Sequence, residues 1–186
     1  METFLLFSVI LLWLLVLLNI VMTIGLARRI KSQLPPPIEF LKAGQPAPPF
    51  TAWTLAGTQV TDQDYAGQSI AFVFLSPHCQ PCREEIPHLA ALQPRARQAG
   101  ITLLLVSDSS EQEAQTFVDE LQLELSMLIA PRNRTRFLSD YKASVTPSFC
   151  LVDTQGNIKA AGPGMSNLAQ QIEMMFPGAN GGDGMG

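Results

Sequence analysis

The chain has little charge and few cysteines. Its 186 residues carry 12 Lys and Arg against 16 Asp and Glu, a formal net charge of -4. The basic footprint that nucleic-acid binding requires is missing, so nucleic acid is set aside as a partner. Three cysteines are too few for a disulfide-stapled scaffold, and an odd number allows at most one intramolecular bridge with a thiol left over. There is no second closely spaced Cys or His pair. A structural zinc ion would want four ligands, and beyond one Cys-X-X-Cys the candidates are only Cys150, His78 and His88. No metal and no cofactor is expected. The length leaves room for one domain of ordinary size plus attachments, which excludes a second catalytic domain.

What is present begins with hydrocarbon. Phe4 to Leu26 is an almost unbroken apolar run, relieved only by small or weakly polar residues such as Ser8, Asn19 and Thr23. About 20 such residues span a bilayer as a helix. Glu2 opens the chain and no A-x-A pattern follows the run, so an uncleaved anchor is expected in place of a signal peptide. Residues 1–31 are therefore read as a transmembrane anchor with a basic flank, its contact with lipid made through residues 4–26. Arg28, Arg29 and Lys31 follow the run, and the positive-inside rule would put what comes next in the cytoplasm.

Residues 32–47 include Pro35, Pro36, Pro37 and Pro46 and are expected to form an extended, semi-rigid linker. Residues 177–186 are mostly glycine and small polar groups, a composition expected to stay disordered. Between them, residues 48–176 alternate strand and helix signals. Short strands are expected at Phe50–Leu55 and Gln59–Thr61, and buried strands at Ser69–Leu75 and Ile101–Val106. The two buried strands are joined through a helix that carries Ile86, Leu89, Leu92 and Ala96 and contains Pro87 and Pro94, which should kink or shorten it. Ser110 and Glu113 form a capping-box pattern ahead of a helix bearing Ala114, Phe117, Val118 and Leu121. A strand at Leu125–Ile129, a short basic helix around Arg132–Tyr141, a hairpin of Ser148–Val152 with Ile158–Ala161, and a last helix capped by Ser166 complete the pattern. Strands joined first through helices and then by a hairpin predict an α/β fold with a mixed sheet and helices on both faces.

The chemistry is expected at Phe74-Leu75-Ser76-Pro77-His78-Cys79-Gln80-Pro81-Cys82, a Cys-X-X-Cys at the exit of a buried strand and the entrance of a helix. Unpaired backbone N–H groups at a helix start stabilise an anion, so Cys79 should hold its thiolate below the ordinary cysteine pKa. Cys82, one turn on, would be the resolving thiol. Pro81 suits the first turn, where a missing N–H costs little. His78, if protonated and adjacent, would favour the thiolate further. A loop at Val145-Thr146-Pro147-Ser148 could present main-chain groups to an incoming peptide. Cys150, inside Ser148–Val152, reads as a small buried side chain of a strand.

These motifs resemble the thioredoxin-like superfamily, and within it the membrane-anchored TlpA and ResA branch, over residues 48–176. The parts that carry the resemblance are LAGTQV, SIAFVFL, CQPC followed by REEIP, VTPSFCLVD and TQGNI. FLSPHCQPC and LLLVSDSSEQEAQTFV are most similar to the MauD type, an accessory of methylamine utilisation. The resemblance implies catalysis by Cys79 and Cys82, a cis bond between Thr146 and Pro147 at a substrate-binding loop, and a periplasmic domain whose partners are protein thiols or disulfides and a membrane or periplasmic electron donor or acceptor. For the MauD type it also implies maturation of the disulfide-rich small subunit of methylamine dehydrogenase. Val73 stands where thioredoxin carries a buried acid, which leaves open whether the chain reduces or oxidises. A second reading is a non-enzymatic escort of a partner protein or metal ion on the same fold. A third, a peroxiredoxin-like peroxidase, lacks the Thr-x-x-Cys pattern before Cys79.

Overall fold

A computed structural model describes residues 1–33, 38–122 and 125–175 of the chain. The proline run 35–37, Phe176 and the expected tail 177–186 lie outside the described residues. Two compact units result, Met1–Pro37 and Ile38–Gly186.

In the first unit a single helix, α1 (Glu2–Gln33), contains the apolar run. Its first 25 residues, Glu2–Leu26, are long and apolar enough to cross a membrane. Its described side chains are exposed on every side. A helix apolar all round has no face to bury against a soluble core, and lipid is the solvent that suits it.

The second unit is a seven-stranded mixed sheet in the order β2-β1-β5-β4-β3-β6-β7. Its strands are β1 (Thr51–Thr54), β2 (Gln59–Thr61), β3 (Ser69–Phe74), β4 (Ile101–Ser107), β5 (Ser126–Ile129), β6 (Ser148–Val152) and β7 (Ile158–Pro163). Helices α2 (Gln80–Gln98), α3 (Glu111–Glu120), α4 (Phe137–Asp140) and α5 (Met165–Met175) are interspersed. β3, β4 and β5 run parallel, as connections through α2 and α3 require, while β6 and β7 form the antiparallel hairpin. This is the expected mixed α/β sheet flanked by helices.

Period-2 alternation sends successive residues of each strand to opposite faces. Ala71, Val73, Leu103, Leu105, Phe149 and Leu151 meet the inner sides of α2, α3 and α5 through Ile86, Leu89, Phe117, Leu168 and Ile172. Ile70, Phe72, Phe74, Leu104, Val106 and Cys150 face the other way, onto Phe50, Phe137 and Tyr141. There the rings interlock, with Phe50 stacked on Phe137 at 4.3 Å and Phe72 edge-on to Phe137 at 5.3 Å between centroids. The three longer helices thus share one face, and of the helices expected on both, the second face has only the single turn α4, with loops completing its cover.

Four expectations change. Residues 38–47, read as part of the linker 32–47, belong to the folded unit: Leu41 is buried, Gly44 N–H donates to the Ile158 carbonyl at 2.8 Å, and Ala47 N–H to that of Gly156 at 2.8 Å. The basic helix expected around 132–141 is only the turn Phe137–Asp140, because Arg134 and Thr135 fold back onto the Pro131 carbonyl and the Thr135 hydroxyl is spent on the Thr51 carbonyl at 2.8 Å. Pro87 and Pro94 do not shorten α2; both are exposed, so the carbonyls they leave unpaired can turn to water. Ser166 is not the cap of α5, which already begins at Met165.

Candidate active site

β3 ends against Val106 of β4 on one side and Ser148 of β6 on the other. Leu75 N–H still bonds the Val106 carbonyl at 3.0 Å, and the chain then leaves the sheet through Ser76, Pro77 and His78. Cys79 N–H turns back to the Ser76 carbonyl at 3.1 Å, and Cys79 itself, in extended conformation, is the N-cap of α2. Its sulfur accepts the Cys82 backbone N–H at 3.3 Å, satisfying one of the donors a helix start leaves open. Gln80 and Pro81 occupy the first two helical positions, where proline's missing N–H is no loss.

The two thiols are in unlike surroundings. Cys79 is half-buried and Cys82 has no exposed surface. Partial burial acts to raise the Cys79 pKa, but hydrogen bonding from the Cys82 thiol, the Thr146 side chain and the Cys82 N–H outweighs it, so the value lies below that of an ordinary thiol. Burial drives Cys82 the other way, to about 11, and its hydrogen bond toward Cys79 adds to the shift. One sulfur is poised as a nucleophile and its neighbour is held as a thiol.

Facing Cys79 is the loop before β6. The Thr146–Pro147 bond is cis, and the Thr146 carbonyl oxygen lies 3.5 Å from the Cys79 sulfur. The Ser148 hydroxyl donates to the Val145 carbonyl at 2.7 Å and Gly164 N–H to that of Pro147 at 3.1 Å, so both sides of this loop are tied to the sheet edge.

The structure therefore brings Cys79, Cys82, Thr146 and Pro147 together, with Pro81 in the first turn. His78 stands apart: its Nε2 is 3.3 Å from Glu113 Oε1, three-quarters of its side chain is exposed, and it is not among the groups that set the acidity of Cys79. Glu113 also serves the capping box of α3, and the Ser110 backbone and hydroxyl, then His78, hold its carboxyl below the usual range. Cys150 lies on the aromatic face, across the sheet from the pair, fully buried and with its pKa pushed by burial up to about 12. Among the described residues no group of three or more His, Cys, Asp or Glu gathers as a metal site.

Sequence reasoning passed over Arg83. Its Nε donates to the Pro77 carbonyl at 3.1 Å, both terminal nitrogens reach Glu120 Oε2 at 3.1 and 3.2 Å, and the guanidinium lies over the Phe117 ring at 5.3 Å. One side chain thus ties the loop that launches Cys79 to α2 and to α3. The one signal was its place directly after Cys82, since Glu120 lies 37 residues away.

A family model described as the AhpC/TSA family matches residues 43–161. The thiol-disulfide oxidoreductase ResA of Bacillus cereus is 26% identical over 121 residues, covering 64% of this chain and 69% of that protein. The thioredoxin-like protein YneN of Bacillus subtilis is 29% identical over 122 residues, covering 64% and 70%. Among solved structures, a thiol:disulfide interchange protein from Bacteroides sp. superposes with a TM-score of 0.66 at 26% identity, covering 76% of this chain and 94% of that one. The thioredoxin domain of a thiol-disulfide oxidoreductase from Bacteroides vulgatus gives 0.63 at 25%, covering 72% and 97%.

Proposed function

The chain belongs to the AhpC/TSA family, and from that premise we propose that it is a membrane-anchored thiol-disulfide oxidoreductase of the ResA type, with Cys79 as the attacking sulfur and Cys82 as the resolving one. The observation that carries the reading is the contrast within the pair: a half-buried, acidified Cys79 capping α2, and a buried Cys82 whose backbone N–H is 3.3 Å from it. As a reductant, the Cys79 thiolate attacks one sulfur of a substrate disulfide, forms a mixed disulfide and expels the other substrate sulfur as a thiolate. Cys82 loses its proton and attacks Cys79, closing the Cys79–Cys82 bond and releasing the second substrate thiol. Two electrons pass to the substrate. As an oxidant the same steps run backwards, and the reduction potential decides which direction prevails.

Thr146 and Pro147 serve in this proposal as the substrate-binding loop, since the Thr146 carbonyl lies 3.5 Å from the Cys79 sulfur. Pro81, in the first turn of α2 between the two sulfurs, is the tuning group; His78, expected in that role, is turned to Glu113 instead. Exchange is favoured over peroxide reduction because Ser76 stands where the threonine of a Thr-x-x-Cys pattern would be, and because the ResA relative is named for thiol-disulfide exchange. The test is trapping. Cys82→Ser should accumulate a mixed disulfide with protein substrates that reductant releases, and Cys79→Ala should trap none. Partner maturation that proceeds unchanged with Cys79→Ala would leave an escort role as the better reading.

In this proposal the domain after α1 lies outside the cytoplasm, a reading supported by the ResA likeness and opposed by Arg28, Arg29 and Lys31. Alkaline phosphatase fused after Gly186 should be active; an inactive fusion beside a bright green fluorescent protein fusion would reverse the placement. The finer proposal is that the substrate is the small subunit of methylamine dehydrogenase, supported by the similarity of FLSPHCQPC and LLLVSDSSEQEAQTFV to the MauD type. Loss of the chain should then leave that subunit with free thiols.

A further inference from the structure

Within the apolar run of α1, apart from the indole of Trp13, the side chains with a hydroxyl or amide are Ser8, Asn19 and Thr23, all exposed. At 3.6 residues per turn Asn19 lies about three turns beyond Ser8, and Thr23 about one turn further. The three fall within about 60° of one another around the axis. A lone span surrounded by lipid gives no reason for its polar groups to share a side.

The Thr23 hydroxyl donates to the Asn19 carbonyl at 2.8 Å and is satisfied inside its own helix. The Asn19 carboxamide and the Ser8 hydroxyl have no hydrogen-bond partner among the described residues. Depth makes this matter for Asn19. The run Phe4–Leu26 is roughly 34 Å long and Asn19 sits about 6 Å from its midpoint, inside a hydrocarbon layer of about 30 Å where no water can serve an amide. An unmet carboxamide there is costly, and a second helix can supply its partner.

The same side carries Leu12, Leu15, Met22 and Leu26. With Ser8 and Asn19 these occupy positions 8, 12, 15, 19, 22 and 26, the alternation of four and three that forms the seam of a left-handed pair of parallel helices. We propose that α1 pairs in parallel with α1 of a second copy of this chain through this seam, Asn19 bonding to Asn19 across it. The proposal rests on the anchor reading above. A carboxamide both donates and accepts, so it is its own complement. Two copies inserted in the same sense carry Asn19 at the same depth, and the same register sets Ser8 opposite Ser8. A helix of different sequence would need a polar group at that one depth and on its own seam. A single asparagine in an apolar seam also fixes register and the number of strands.

The test uses the full chain under reducing conditions, so that no intermolecular disulfide can imitate pairing. Resistance to alkaline carbonate extraction from phosphatidylcholine vesicles reads insertion, and sedimentation equilibrium in density-matched detergent micelles reads association. The wild-type chain should be carbonate-resistant and dimeric. Asn19→Leu should insert equally well and dimerise roughly threefold to thirtyfold more weakly, and Asn19→Gln should recover much of the loss. A monomeric wild-type chain that resists carbonate, an Asn19→Leu dimer as tight as wild type, or no recovery with Asn19→Gln would each overturn the pairing while leaving the anchor intact. A chain stripped from vesicles by carbonate would overturn the anchor and the pairing together. Reduction of a small disulfide by Cys79 should be equal in all three proteins, since the substitutions lie in the other compact unit.

Discussion

The two faces of the sheet each hold a cysteine with no exposed surface, and burial raises the pKa of both, Cys82 to about 11 and Cys150 to about 12. By burial and acidity they are nearly the same residue. What separates them is their position. Cys82 lies one helical turn from a half-buried sulfur, at the end of the sheet where β3 gives way to α2 and a loop approaches from β6. Cys150 sits in mid-strand, paired with Phe72 on one side and Ala161 on the other, beneath a layer of aromatic rings. In the proposed exchange the buried Cys82 takes part because the backbone sets a second, half-buried sulfur beside it. Cys150, in mid-strand, packs.

That contrast can be broken in three ways. The largest effect is expected from the aromatic face: Phe137→Ala removes a ring that contacts Phe50, Phe72, Phe74 and Tyr141 and should cost about 3–5 kcal/mol in denaturant unfolding. Below its melting temperature this variant should still carry out exchange. Full folding with lost exchange would mean that the two faces are coupled through the sheet.

Next comes pH. Alkylation by iodoacetamide should be confined to Cys79 near neutrality, with a midpoint below that of an ordinary thiol, while Cys150 stays unmodified in the folded chain and Cys150→Ala leaves the profile unchanged. Cys82 and Cys150 also bear on stability. Their folded pKa values exceed the ordinary thiol value of about 9, so their contribution is complete below that pH and is lost as the pH rises toward about 11 and about 12. Unfolding free energy should therefore fall on the alkaline side; a curve flat to pH 11 would contradict the burial of both.

The smallest effect is expected at Arg83. Arg83→Ala frees the Pro77 carbonyl and the Glu120 carboxylate and should slow exchange by Cys79 about tenfold or less, the scale of one ordinary hydrogen bond. Glu120→Ala should cost less, because the pair it breaks is largely solvated. Equal losses in both would shift the weight from the Pro77 contact to the ion pair.

Much of this was legible in the sequence because the signals were local. The run Ser69–Phe74 leading into Cys79, the Ser110–Glu113 capping box and the hairpin about Gly156 depend on neighbours a few residues apart, and each element forms where expected. The cis bond at Thr146–Pro147 followed from likeness alone. Long-range contacts were not legible. Residues 38–47 read as spacer because Pro35, Pro36 and Pro37 just before them and Pro46 within them suit an extended chain, yet an extended chain is also what can lie along the 156–158 turn and bond to it. The clasp between Arg83 and Glu120 joins α2 to α3 across 37 residues, and the pairing of His78 with Glu113 joins the loop before α2 to α3 across 35. Cys150 could not be assigned a face either. Every residue of Ser148–Val152 is buried, so the alternation that tells inside from outside has no polar partner to reveal it.

Because the sulfur of Cys79 plugs the open end of its own helix, the electrical bias of α2 would act on the proposed redox couple as well as on the proton. A thiolate can occupy that end as a charge; a sulfur locked in a disulfide cannot. Whatever strengthens the plug steadies the dithiol form against the disulfide, moving the couple toward the oxidising end of the scale. The first turn of α2 is thus a dial for driving force, and residues 80 and 81, between the two sulfurs, are the places to turn it.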